Sequence, residues 1–186
     1  MVDNASSQTT HGNADPLAIM MSNPDEFPIE RFITYRLTVL SNVLNRQMTR
    51  LLTSRFDIAL PEWRVVACLG RFCDMSIRDI AMRTQMDKAL TSRAVTKLIQ
   101  RELVSSRPDP ADGRLVLLSV TSAGRLLYET ILPVARERQA RLFNCLEADE
   151  RIVLDRALGK LITFARNYEG QNSEDIEQAD IEKTLE

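Results

Sequence analysis

Between Ser76 and Val120 two short helical patterns with different exposed faces run into a Pro- and Asp-rich hairpin, an order that few folds accept. Ser76 with Asp79 three residues on has the spacing of a helix start. Ile77, Ile80 and Ala81 then form an apolar side that ends near Thr84. After the turn Gln85-Met86, Asp87 can cap a second helix. Its Thr91, Ala94, Val95 and Leu98 recur at three- and four-residue steps and so share one buried stripe. Lys88, Ala89, Ser92, Arg93, Thr96 and Lys97 remain for the other side, with no carboxylate between Lys88 and Arg101. Leu103 to Arg107 and Arg114 to Val120 read as strands around the turn Pro108 to Gly113. Asp112 and Arg114 are two apart in an extended chain, so they project from one side of the loop, where the carboxylate can hold the guanidinium.

Long helical patterns flank this stretch. Ile29, Phe32, Ile33, Leu37, Leu40, Val43, Leu44, Met48 and Leu51 recur over nearly thirty residues, with Asp25 as a plausible cap and Pro28 in the first turn. A helix of that length in a small protein often reaches across a subunit boundary. Pro61 opens a helix to about Gly70. Thr121 caps another, expected to kink at Pro133, and Asp149 and Glu150 start a last one that runs to about Tyr168. The resulting partition is a disordered arm (1–24), a first long helix (25–58), the central module (59–120), further long helices (121–168) and a disordered acidic tail (169–186).

Charge divides along the same lines. The chain carries −2 overall, but residues 1–26 hold four acids and no Lys or Arg, and residues 169–186 hold seven acids against Lys183. The body from 27 to 168 is therefore strongly basic, as a polyanion binder should be. No window approaches a membrane span and no signal peptide is evident, so the expected location is the cytoplasm. Three cysteines form no CxxC pair, and His11 is the one histidine. Neither a disulfide framework nor a His-rich metal site is expected, and no cofactor is implied. The chain has no GxGxxG, Walker-type loop, HExxH or GxSxG, which argues against an enzyme.

A helix-turn-helix places the start of its second helix at base edges in a major groove about 12 Å wide. Hydroxyls and cations from Lys88 to Lys97 suit that task, and an arginine at a hairpin tip suits the narrow minor groove. On these residues the chain resembles the MarR family of bacterial winged-helix regulators. The resemblance is carried by Ser76 to Ala81, by Asp87 to Leu98, by Leu103 to Arg114 with its Asp112-Gly113-Arg114 wing, and by Val120 to Gly124. It implies a mainly α fold with a small β-hairpin wing, winged helix-turn-helix in type. It also implies a homodimer through the N- and C-terminal helices, repression from a palindromic operator in double-stranded DNA, and release by a small effector, often an aromatic acid. The DNA-binding set is then Lys88, Ala89, Ser92, Arg93, Thr96, Lys97, Arg107, Asp112 and Arg114.

Glu102 stands where the family usually has Gly before the first wing strand, so the turn either differs or accepts strain. For the effector, Arg36 among apolar neighbours can pair with a carboxylate, and Tyr35 and Trp63 can stack on an aromatic ring. The alternative for these is a core Trp and a salt-bridged Arg. Two other readings of the chain stay open: a helical dimer that binds a protein partner, and a thiol-redox regulator of the same fold.

Overall fold

A computed structural model describes residues 15–22 and 27–184, with side chains described as far as Tyr168. The elements are α1 (Pro16–Ser22), a 3-10 turn (Ile29–Arg31), α2 (Ile33–Phe56), α3 (Leu60–Phe72), α4 (Ile77–Thr84), α5 (Lys88–Gln100), β1 (Val104–Pro108), β2 (Val116–Val120), α6 (Ser122–Phe143) and α7 (Ala148–Thr184). They form two compact units, one ending at Ser119 and one beginning at Val120. The long α2 therefore belongs with the central module, and only α6 and α7 make up the second unit.

Caps set most helix starts. Ser76 Oγ accepts the Asp79 N–H at 3.2 Å and donates to the Asp79 carboxylate, so the two residues pair as expected from their spacing. Asp87 Oδ1 accepts the Leu90 N–H at 2.7 Å to open α5, and Thr121 Oγ1 accepts the Gly124 N–H to open α6. Each such cap stabilises its helix by about 1 kcal/mol. Alpha3 starts on Ala59, which has no side-chain acceptor. There the Glu62 carboxylate reaches back to take the Ala59 N–H at 3.1 Å. Asp25 lies outside the described residues, and the α2 start falls at Phe32.

The core of the first unit is the meeting of α3, α4 and α5. Val65, Val66 and Leu69 of α3, Ile80 of α4 and Leu98 of α5 are fully buried, joined by Leu52 near the end of α2 and Ile58 in the connection to α3. The stripe expected on α5 is the one observed: Thr91, Ala94, Val95 and Leu98 are its buried residues. Thr91 is satisfied inside by donating to the Asp87 carbonyl at 2.9 Å. The two-stranded antiparallel sheet seals one side with Val104 and Leu118. Met75 adds an isolated antiparallel bridge to Leu118, which ties the α3–α4 connection to β2.

Two expectations differ from the observed backbone at the chain ends. Alpha1 occupies Pro16–Ser22 inside the arm expected to be disordered, its Asp15 carboxylate accepting the Leu17 N–H. Alpha7 continues as helix to Thr184 through the tail expected to be disordered. Glu, Gln, Ala and Lys are good helix formers, and a growing helix adds residues more easily than it nucleates. The charge pattern says little about the backbone of this segment. Alpha6 stays one helix across Pro133.

Candidate nucleic-acid interface

The exposed side of α5 begins at Lys88 and Ala89, continues through Arg93 and Thr96, and includes half-buried Ser92. Thr96 Oγ1 donates to the Ser92 carbonyl at 3.0 Å, which settles its rotamer against the helix. These five residues stand together, opposite the buried stripe, as expected from the sequence.

Of the other four residues of the expected set, Lys97, Arg107 and Asp112 have partners within the chain, and Arg114 does not pair its side chain among the described residues. Lys97 sits at the edge of the buried stripe and lies 3.9 Å from Glu62 Oε1, so its first partner is α3. Arg107 of β1 pairs with Asp74, a residue that also accepts a hydrogen bond from Ser119 Oγ of β2. Asp74 thus fastens both wing strands to the α3–α4 connection, and Arg107 acts as part of that fastening. Asp112 accepts the Arg114 backbone N–H at 3.0 Å, and so shapes the loop in place of holding the guanidinium. The Arg114 side chain is exposed and takes no ion pair among the described residues. A similar side-chain turn at Asp109 accepts the Ala111 N–H, while Asp109 N–H donates to the Leu115 carbonyl. The hairpin tip is therefore ordered by its aspartates, with the cation left outward.

At the joint between α5 and the wing, Glu102 adopts φ 56. Its N–H donates to Ile99 and the Leu103 N–H to Leu98, the pair of bonds that usually closes a helix on a glycine. The strain anticipated at Glu102 is accepted and the turn keeps its form.

Asp74 is the functional residue that sequence reasoning missed. It lies in a connection with no periodic pattern, and its partners are 33 and 45 residues away. Those two hydrogen bonds, from Ser119 and then Arg107, hold its carboxyl below the ordinary value of 3.8. Glu62 was likewise unmarked, although it is a carboxylate buried at the start of α3.

The residues expected to meet an effector separate. Tyr35 and Arg36 line a depression of about 380 Å³ on α2 with Glu30, Val39, Leu40 and Val43. Trp63 is 7% exposed within the α3 core and is not part of that lining. Its indole follows the apolar side of α3, which is the alternative already weighed for it. The thiols also differ: burial pushes the Cys68 thiol up despite nearby Arg83, while Cys73 and Cys145 are exposed. A raised, buried thiol is poorly suited to redox sensing. Among the described residues no group of His, Cys, Asp and Glu could hold a metal ion, and no helix is long and apolar enough to cross a membrane.

A three-helix core whose last helix presents cations, followed by a hairpin with an outward arginine, defines a winged helix-turn-helix. Residues 58–116 match the model of the MarR family, and the chain is similar to winged-helix regulators of that family. It is 29% identical over 148 residues to the HTH-type transcriptional repressor IacR of Pseudomonas putida, covering 80% of this chain and 84% of the relative. Among solved structures, a MarR/EmrR family transcriptional regulator from Acinetobacter sp. ADP1 superposes with TM-score 0.71 at 29% identity, over 75% of this chain and 99% of that one. Bordetella bronchiseptica BpsR, whose DNA binding is described as regulated by 6-hydroxynicotinic acid, matches with TM-score 0.53 at 26% identity, over 66% of this chain and 97% of that one.

Proposed function

We propose that this regulator represses transcription by binding a palindromic operator as a homodimer, and that a small aromatic acid releases it. The observation that carries the reading is the pairing of two separate cationic elements. Lys88 and Arg93 stand on the open side of α5, and Arg114 stands at a hairpin tip whose backbone is fixed by Asp109 and Asp112. One element fits a major groove and the other the adjacent minor groove. The likeness to the repressor IacR supports the repressor role, and the likeness to BpsR supports control by a ring-bearing acid.

Self-association is supported by apolar side chains that a single chain leaves in water. Ile29, Phe32, Ile33, Leu37 and Leu40 are exposed at the start of the first unit, as are Ile152, Val153, Leu161, Ile162 and Phe164 on α7. A monomer rarely leaves so many large apolar groups uncovered. For the effector, Arg36 supplies a guanidinium for a carboxylate, and Tyr35, Val39 and Leu40 supply the apolar wall of the depression. The wild-type chain should select a two-fold symmetric sequence from a random duplex pool and sediment as a dimer. Its affinity should fall steeply with salt, because phosphate contacts release counterions. Hydroxynicotinic or benzoic acids should release the DNA, and Arg36→Ala should lose that response while still binding DNA. Retention of a selected duplex without salt dependence would overturn the DNA reading and favour a protein-partner role.

A further inference from the structure

Four charged groups meet where the end of α2, the start of α3 and the end of α5 come together. Glu62 is the buried member, its side chain 7% exposed. One of its oxygens faces Lys97 Nζ at 3.9 Å, and the other faces Arg101 Nη1 at 3.6 Å while accepting the Ala59 N–H. Arg101 continues outward: Nη1 donates to the Asp57 carbonyl at 2.7 Å, and Nη2 reaches the Asp57 carboxylate at 3.4 Å. Asp57 itself ends α2 in the left-handed conformation, φ 48. These residues, with Gln100 of the recognition helix, line an open cavity of about 360 Å³ behind α5.

We propose that Glu62 is the positioning residue of the recognition helix, acting through Arg101 and Lys97 to fix the angle at which α5 enters DNA. The inference rests on the DNA-binding reading above. Alpha5 is seated on α3 and α4 by four small or medium side chains, Thr91, Ala94, Val95 and Leu98, and such a stripe fixes contact better than it fixes roll or tilt. The cations at 97 and 101 lie one turn apart on the flank of that stripe, so two contacts to one buried carboxylate remove the remaining freedom. A carboxylate that has left water must keep charged partners, which gives the geometry a strong preference over displaced alternatives. Arg101 is also the last residue before the Glu102 turn into β1, so the same node fixes the level at which the wing begins. Both DNA-facing elements thereby take their placement from one side chain that touches no DNA.

Sequence discrimination depends on helix placement to within fractions of an ångström, whereas phosphate attraction tolerates small shifts. Glu62→Gln keeps the volume and one acceptor for the Ala59 N–H but removes the charge. Using a duplex selected from a random pool by the wild-type chain, we expect Glu62→Gln to bind that duplex about tenfold more weakly. Binding of a scrambled duplex should hold or strengthen, since two cations are released. The salt dependence of scrambled binding should not become shallower. Arg101→Gln, which removes the pair from its more exposed side, should give the same collapse of the selected-to-scrambled ratio. The double variant should be no worse than either single one, because the two act as a unit. Equal loss on both duplexes, or an unchanged ratio in the folded Arg101→Gln protein, would overturn the proposal. Failure of the wild-type chain to enrich any sequence would instead remove the DNA reading beneath it.

Discussion

The Asp112 carboxylate accepts the backbone N–H of Arg114 at 3.0 Å and leaves the guanidinium to the solvent. The two residues of the wing motif therefore divide their work, one holding the loop and the other offering charge. Arg114→Ala should weaken binding to a selected operator about tenfold without changing helix content or dimerisation. Asp112→Ala should weaken it less, by loosening the tip. Gel shifts and anisotropy titrations measure both, and unchanged affinity in Arg114→Ala would remove the minor-groove role.

Glu102 adopts a left-handed conformation at φ 56 at a helix end where glycine is the usual occupant. A left-handed non-glycine residue costs about 1–2 kcal/mol, and glycine gives back part of that gain through its greater chain entropy. Glu102→Gly should therefore raise stability by about 0.5–1 kcal/mol. Glu102→Val should lower it, since a β-branched residue fits φ > 0 worst. Urea denaturation gives the order, and a Gly variant less stable than wild type would mean that contacts of Glu102 outweigh its backbone strain.

What the sequence made legible was local. Ser76, Asp87 and Thr121 announce helix starts because a cap and its N–H lie within three residues. The α5 stripe is readable because helical periodicity decides it. Lys97 and Arg107 belong to the expected DNA-binding set, yet their partners Glu62 and Asp74 come from elsewhere in the chain. No spacing rule reveals a carboxylate brought in by tertiary packing. The helical wheel did hold a hint for Lys97, which falls beside the buried stripe and away from Ser92 and Thr96. Trp63 was ambiguous for a related reason, because an aromatic residue has the same pattern in a core as in a pocket.

Asp74 should give the wing a distinct acid sensitivity. The hydrogen bond from Ser119 and the interaction with Arg107 depress its folded pKa below 3.8. A depressed carboxyl contributes stability that is present above the unfolded value and is lost as pH falls through the folded one. The contribution of Asp74 is thus full near neutrality and fades below about pH 4. Asp74→Asn should destabilise the wing at pH 7 and show a shallower loss of stability on acidification than wild type. Hydrogen exchange at Val104–Pro108 and Val116–Val120 across that range reads the effect. Identical acid limbs in the two proteins would show that the latch carries no net energy.

The acidic end of α7 should temper non-specific DNA binding. Residues 169–186 carry seven acids against Lys183, and their backbone continues as helix to Thr184. A helix rises about 1.5 Å per residue, so the segment extends roughly 24 Å beyond Tyr168. That is longer than the ~10 Å screening length at 0.1 M salt, so only part of its charge acts on any one site. Its effect is then a modest competition with phosphate. A chain ending at Tyr168 should bind random duplex about two- to threefold more tightly at low salt, and the gain should vanish as salt approaches 1 M, where screening shortens to about 3 Å. Replacing the acids of the segment by Gln and Asn should reproduce the gain with the helix intact. Equal affinity of the full and shortened chains at low salt would show that the acidic segment does not compete with phosphate.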